Sequence, residues 1–182
     1  PRTMLARYPL NIQLIEKNIG FPLVVKTISG SQGSGIFLCE KKSHLEDLMQ
    51  FIDTAKTQAN FIIQQFIKTS KGHDLRVLVI GSRVIACMER ISKDGSFKAN
   101  FSRGGEVRSF PINEEIEWLA VESARLLNLD IAGIDLLFDG EHFKVCEANS
   151  SPGFKGLEKC GDISIPDAIF DFIQIRLGLH LK

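Results

Sequence analysis

A chain of 182 residues, 44% of them hydrophobic and 24% charged, has the make-up of an ordinary folded protein and can bury a real core. Lys plus Arg and Asp plus Glu number 22 each, so no excess of either sign draws in nucleic acid or an acidic membrane. No signal peptide, low-complexity tract or apolar run long enough to span a bilayer is present.

The chain begins at Pro1 without an initiator methionine, directly in element-like sequence, which predicts a piece of a longer protein. Leu10 to Asn18 reads as a helix stopped by Gly20 and Pro22. Phe21 to Ile28 is an apolar, β-branched strand, followed by Ser29-Gly30-Ser31-Gln32-Gly33-Ser34-Gly35 and a second strand from Ile36 to Glu40. Ser43 with Glu46 forms a capping-box pattern ahead of a helix that puts Leu45, Leu48, Met49 and Ile52 on one face. Phe61 to Ile67 reads as a further strand.

Beyond Lys71-Gly72 the pattern changes. Leu75 to Ile80 and Val84 to Met88 are strands joined by Gly81-Ser82-Arg83, a hairpin signal. A polar loop runs from Ser92 to Gly105. Ile116, Leu119, Ala120, Ala124 and Leu127 mark an amphipathic helix, with Asn113 as its cap and Glu114, Glu115 and Glu117 in its first turn. A second hairpin spans Gly133 to Ala148, and a last helix begins near Ser164. Hairpins interleaved with helices, without regular βαβ alternation, predict an α+β fold with largely antiparallel sheets.

The four cysteines, Cys39, Cys87, Cys146 and Cys160, form no CxxC pair and no zinc pattern. They read as plain buried or partly buried thiols, which suits a cytoplasmic location. His44, His73, His142 and His180 are scattered and read as surface or loop residues.

The hairpin Gly133-Ile134-Asp135 … Cys146-Glu147-Ala148-Asn149 is the richest stretch. Alternation puts Ile134, Leu136 and Phe138 on one face, matched by Cys146 and Ala148. A three-residue turn around Gly140 would place Asp135 across from Glu147, with Asn149 on the same side. Three oxygen ligands of this kind suit magnesium, which binds through a few carboxylates plus substrate phosphates. The same parity also describes the wet face of an exposed hairpin. Asp135, flanked by Ile134 and Leu136, argues for the first reading, because a buried carboxylate is costly unless paired or metal-bound. The following Ser150-Ser151-Pro152-Gly153 is a tight loop whose amides could approach an anion.

Lys26 ends the run Pro22-Leu23-Val24-Val25 just before the glycine-rich loop, which could cradle phosphate or be a plain turn. It matches neither the Walker A pattern nor GxGxxG. Ile62-Ile63-Gln64-Gln65-Phe66-Ile67 could line an adenine pocket or be a core strand. Asp74 with Arg76, then Arg90, Asn100 and Arg103, supply polar groups suited to anions or to ion pairs.

The order of these segments resembles the RimK-type ATP-grasp glutamate ligases, whose relatives act on ribosomal protein or on N-acyl amino acids. The resemblance runs from about Phe21 to the C-terminus and is most specific at Lys71-Gly72-His73-Asp74-Leu75-Arg76 and Glu147 to Gly153. It implies an ATP-grasp fold, with residues 1–68 as a small lobe and 69–182 as a large lobe enclosing a nucleotide cleft. By the same resemblance Lys26 would contact ATP phosphates and the loop containing Gly30, Gly33 and Gly35 would close over them. Gln65, Phe66 and Ile67 would hold adenine. Asp74 would lie near the ribose, with Lys98 and Asn100 near the phosphates.

Asp135, Glu147 and Asn149 would be magnesium ligands, with Mn2+ as an alternative cation, and Arg90, Arg103 and Asn149 would serve the chemistry. The implied activity joins an amino-acid donor, glutamate, to a carboxylate acceptor through an acyl phosphate, in the cytoplasm, without nucleic acid or membrane, and with homo-oligomers compatible. Gln65 replaces the family's frequent Glu, and Lys98 its familiar Arg. An N-terminal domain that family members carry is missing from this chain, which predicts weak or absent activity of the chain alone. Rival readings are a non-catalytic nucleotide-binding module on the same fold, or an ATP-grasp ligase of another substrate class, such as a D-alanine ligase or a carboxylase-type enzyme.

Overall fold

Two antiparallel sheets, one in each part of the chain, organise the fold. The computed structural model describes residues 1–28, 35–54, 60–99 and 104–179. The chain divides into two units, Pro1–Lys68 and Thr69–Lys182.

In the first unit, β1 (Thr3–Arg7), β2 (Leu23–Thr27), β3 (Ile36–Cys39) and β4 (Asn60–Gln65) lie in the order β1-β4-β2-β3. Helix α1 (Ile12–Asn18) starts at Asn11, whose side chain accepts from the Leu14 N–H at 3.0 Å. Helix α2 spans Lys42–Thr54. The Ser43 capping box does not form, because the helix begins a residue earlier and Ser43 lies inside its first turn. Ile15 and Ile19 from the α1 segment and Leu45 and Met49 from α2 bury against Leu23, Val25, Cys39, Phe61 and Ile63. Strand alternation therefore turns Val24, Lys26, Ile62 and Gln64 to the opposite sheet face. Strand β1 is an addition to the predicted elements.

In the second unit, β5 (His73–Ile80), β6 (Arg83–Ile91), β7 (Glu106–Ser109), β8 (Ile131–Asp139) and β9 (His142–Asn149) lie in the order β7-β6-β5-β8-β9. One face packs on α3 (Glu114–Leu126), whose Ile116, Ala120 and Ala124 meet Leu75, Val77, Ile134 and Leu136. Asn113 caps this helix by accepting from the Ile116 N–H at 2.9 Å, as its sequence predicts. At one end of the other face, Leu78, Ile80 and Met88 are covered by Leu157 of α4 (Lys155–Glu158) and Ile165 of α5 (Ile165–Arg176). Next to them that face carries the charged side chains of Asp74, Arg76, Arg90 and Asp135.

The β8–β9 hairpin differs from expectation in one respect that matters. Its turn is the two residues Gly140-Glu141, so Phe138 opposes Phe143 and Leu136 opposes Val145. A bulge between Asp135 and Leu136 then absorbs Cys146, and beyond it Asp135 does oppose Glu147. Phe143 and Val145 therefore complete the apolar face, where Cys146 had been expected.

Candidate functional site

The polar face of the five-stranded sheet gathers side chains from four strands. Asp74 and Arg76 alternate along β5, Arg90 lies opposite Asp74 on β6, and Asp135 lies opposite Arg76 on β8. Arg90 donates from Nε and Nη2 to the two Asp74 oxygens at 2.6 and 2.7 Å, and from Nη2 to Asp135 Oδ2 at 2.8 Å. Arg76 donates to both Asp135 oxygens, at 2.8 Å each. Asp135 and Arg90 are buried, with 4% of each residue exposed. Paired, bidentate geometry is what makes such burial tolerable.

These contacts set the charge states. Burial pushes the Asp135 carboxyl up, but the Arg90 charge and the Arg76 hydrogen bonds outweigh it and hold the group below its ordinary value. At Asp74 burial dominates and raises the carboxyl, against the pull of Arg90. Burial likewise disfavours the Arg90 charge, yet Asp135 and Asp74 raise it above the usual arginine range.

Glu147 and Asn149 extend this face to the edge strand β9. Glu147 is exposed, and its Oε1 accepts from Asn149 Nδ2 at 3.3 Å. The same amide nitrogen donates to the Gly133 carbonyl at 3.4 Å. Asp74, Asp135 and Glu147 thus place three carboxylates against the two guanidiniums of Arg76 and Arg90. Among the described residues Glu147 has no cationic partner. Hard oxygen donors with uncompensated negative charge fit a divalent cation such as magnesium. No three His, Cys, Asp or Glu side chains converge as a metal cluster among the described residues. A cation here would therefore take its third protein oxygen from the Asn149 amide. The next loop is held in place by packing: a Cβ on Gly133 would meet Pro152 Cβ at 2.5 Å.

On the α3 face of the same strands lies a second buried carboxylate. Glu89 Oε2 accepts from Arg108 at 2.7 Å, and its Oε1 lies 3.0 Å from His73 Nδ1. His73 Nε2 sits 2.9 Å from the Thr69 carbonyl, and its ring stacks on Phe138 at 4.4 Å. His73, expected to be a loop or surface residue, is instead the first residue of β5 and half-buried.

In the first unit, Lys26 lies on the helix-free sheet face, opposite Ile62 and Ile36. The Thr27 N–H donates to the Gly35 carbonyl at 3.0 Å, next to the β2–β3 pair Lys26 and Ile36. Gly35 has φ +70, a conformation that favours glycine, and its missing Cβ leaves room for the Thr27 side chain. The Gln65 N–H donates to the Arg2 carbonyl at 2.8 Å and the Phe66 N–H to the Pro22 carbonyl at 3.3 Å. Ile67 is buried. Lys98 places its ammonium 5.5 Å from the Phe97 ring centroid. Gly30, Gly33, Asn100 and Arg103 lie outside the described residues.

The structure brings Asp74, Arg90, Asp135, Glu147 and Asn149 onto one surface, and adds Arg76, which the sequence marked as a polar group beside Asp74 without a site role. Its signal was available: Asp74 and Arg76 are two apart in a strand, so they share a face.

The RimK-like ATP-grasp domain family matches residues 1–173 of this sequence. The chain belongs to that family. A probable alpha-L-glutamate ligase of Vibrio parahaemolyticus is 39% identical over 175 residues, covering 96% of this chain and 58% of the relative. A protein of the same name from Haemophilus influenzae is 34% identical over 182 residues, with 60% of its length covered. This RimK-like chain thus spans well under two thirds of these relatives. Among solved structures, the RimK domain ATP-grasp protein of Sphaerobacter thermophilus superposes with TM-score 0.73 at 19% identity, covering 94% of this chain and 60% of that one. The D-alanine–D-alanine ligase of Bacillus anthracis complexed with ATP gives 0.72 at 18% identity, covering 99% and 62%. Both share the ATP-grasp fold with this chain.

Proposed function

We propose that this RimK-like chain is the nucleotide- and magnesium-binding part of an ATP-dependent carboxylate–amine ligase, which adds glutamate to a protein C-terminus or a small carboxylate acceptor. The observation that carries the reading is Glu147, without a cationic partner among the described residues, beside the arginine-paired Asp135. The naming of relatives at 34% to 39% identity as probable glutamate ligases supports the choice of donor. An ATP-grasp ligase, PsnB, with a TM-score of 0.70 to this chain, has been solved with Mg and ADP, which supports the cofactors. The four cysteines are free thiols, in keeping with a cytoplasmic setting.

Asp135, Glu147 and Asn149 would hold magnesium, which supplies charge neutralisation to the phosphates. Lys26 and the glycine-rich segment would bind the phosphate chain, and Gln65, Phe66 and Ile67 the adenine. Asp74, Lys98 and Asn100 would line the rest of the nucleotide site. Arg90 and Arg103 would balance charge as the acceptor carboxylate attacks the γ-phosphate. An amine then displaces phosphate from the acyl phosphate, giving an amide. Phosphoryl transfer of this kind needs positioning and electrostatic stabilisation and no nucleophilic side chain.

The test is turnover by the full-length protein with ATP, magnesium, glutamate and a panel of free-carboxylate peptides and N-acyl amino acids. ADP and phosphate release that requires both glutamate and an acceptor is expected, with Glu147→Gln abolishing it. Nucleotide binding without acceptor-dependent turnover would favour a non-catalytic module. Turnover with another donor would favour a different ATP-grasp substrate class.

A further inference from the structure

Two cations already occupy the carboxylate to which a metal role falls. Asp135 accepts three charged hydrogen bonds, one on Oδ1 and two on Oδ2, from Arg76 and Arg90. A carboxylate offers about four lone-pair sites, so little of Asp135 is left for a cation.

The two arginines are not held alike. Arg90 is gripped by both oxygens of Asp74 as well as by Asp135, and its side chain is 5% exposed. Arg76 has Asp135 as its sole carboxylate partner among the described residues, and its side chain is 15% exposed. Of the two, Arg76 is the one that can leave.

We propose that Arg76 is the resident counter-ion of Asp135 and is displaced when a divalent cation binds. Arg76 therefore sets the cation affinity of the site, while Arg90 stays on Asp74 and keeps Asp135 oriented. This inference rests on the assignment of Asp135, Glu147 and Asn149 as metal ligands. It concerns a positioning residue, whose effect is read through the carboxylate.

The experiment uses the full-length protein without nucleotide. Calorimetric titration with MnCl2 should show Arg76→Met binding roughly ten-fold more tightly than wild type, because a competing positive charge has gone. Arg76→Lys, which keeps the charge and loses the two-pronged contact, should fall between them and covers the case in which the Met variant misfolds. In a parallel titration with MgCl2, the Arg76 Nε–Hε resonance should shift and exchange faster with solvent, with that of Arg90 unchanged. An Arg76 resonance indifferent to saturating magnesium, or an affinity unchanged or weakened in both variants, overturns the displacement. The Glu147→Gln protein separates the two failures. If it still binds the cation as wild type does, or if wild type binds none, the ligand assignment is wrong and the inference falls with it. If Glu147→Gln alone loses the cation while Arg76 stays put, the inference alone is wrong.

Discussion

Glu89 and Asp135 are both buried carboxylates in the same five-stranded sheet, yet their surroundings differ in kind. Glu89 faces α3, answered by the exposed guanidinium of Arg108 and by His73 under the Phe138 ring. Asp135 faces the opposite side, locked to two arginines and next to a third carboxylate, Glu147, that has no cationic partner among the described residues. The first cluster balances its charge locally and joins β5, β6 and β7. The second leaves a residual negative charge at an exposed edge strand. Burial of a carboxylate is common to both, so burial alone does not tell the two clusters apart; the unbalanced neighbour does.

Removing one arginine should separate the clusters most sharply. Arg90→Met leaves Asp74 without its cation and Asp135 with Arg76 alone in a buried site, and should cost about 3–5 kcal/mol in chemical denaturation. Glu89→Gln should cost less, about 1–3 kcal/mol, because Arg108 can turn to solvent and only buried hydrogen bonds are weakened. Equal losses would dissolve the distinction. Gly133→Ala pushes a methyl group into Pro152 and should cost about 1–3 kcal/mol, with weaker manganese binding as the loop after Asn149 moves. Glu147→Gln should change stability by less than about 0.5 kcal/mol, since the side chain is exposed, while abolishing cation binding. A large stability loss there would make Glu147 structural. The smallest effect stays within the α3 face. The Cys87 thiol is pushed up to about 12, first by burial and then by the Glu89 charge. Glu89→Gln should therefore speed alkylation of Cys87 by iodoacetamide slightly, followed by mass spectrometry, with Cys39 unaffected as an internal control.

Much of this arrangement is legible in the sequence, because a period of two sorts side chains without knowledge of the fold. Asp74 and Arg76, like Glu147 and Asn149, share a face by parity alone, and Asn113 announces its helix by chemistry. Pairing partners are another matter. That Arg90 would be clamped between Asp74 and Asp135 depends on strand order, which local pattern does not contain. The edge strands β1 and β7 escape notice because Thr3–Arg7 and Glu106–Ser109 are short and partly polar, and only pairing to a neighbour makes them strands. Ser43 shows the converse. A capping residue type in the right pattern yields when the helix can begin at Lys42.

The bulge at Cys146 carries a consequence for how this hairpin can tolerate change. Continuing the pairing of Leu136 with Val145 in unbroken register would set Asp135 against Cys146 and Ile134 against Glu147, delivering that carboxylate into the apolar layer under α3. The bulge is thus a change of phase within β9. It puts the strand half nearest the turn in phase with the core and the half beyond it in phase with the polar surface. Deleting Cys146 would leave Val145 and Glu147 adjacent and facing opposite sides, so Glu147 would keep its place across from Asp135 in a regular ladder, whereas pairing Cys146 with Asp135 would turn Glu147 and Asn149 to the apolar side.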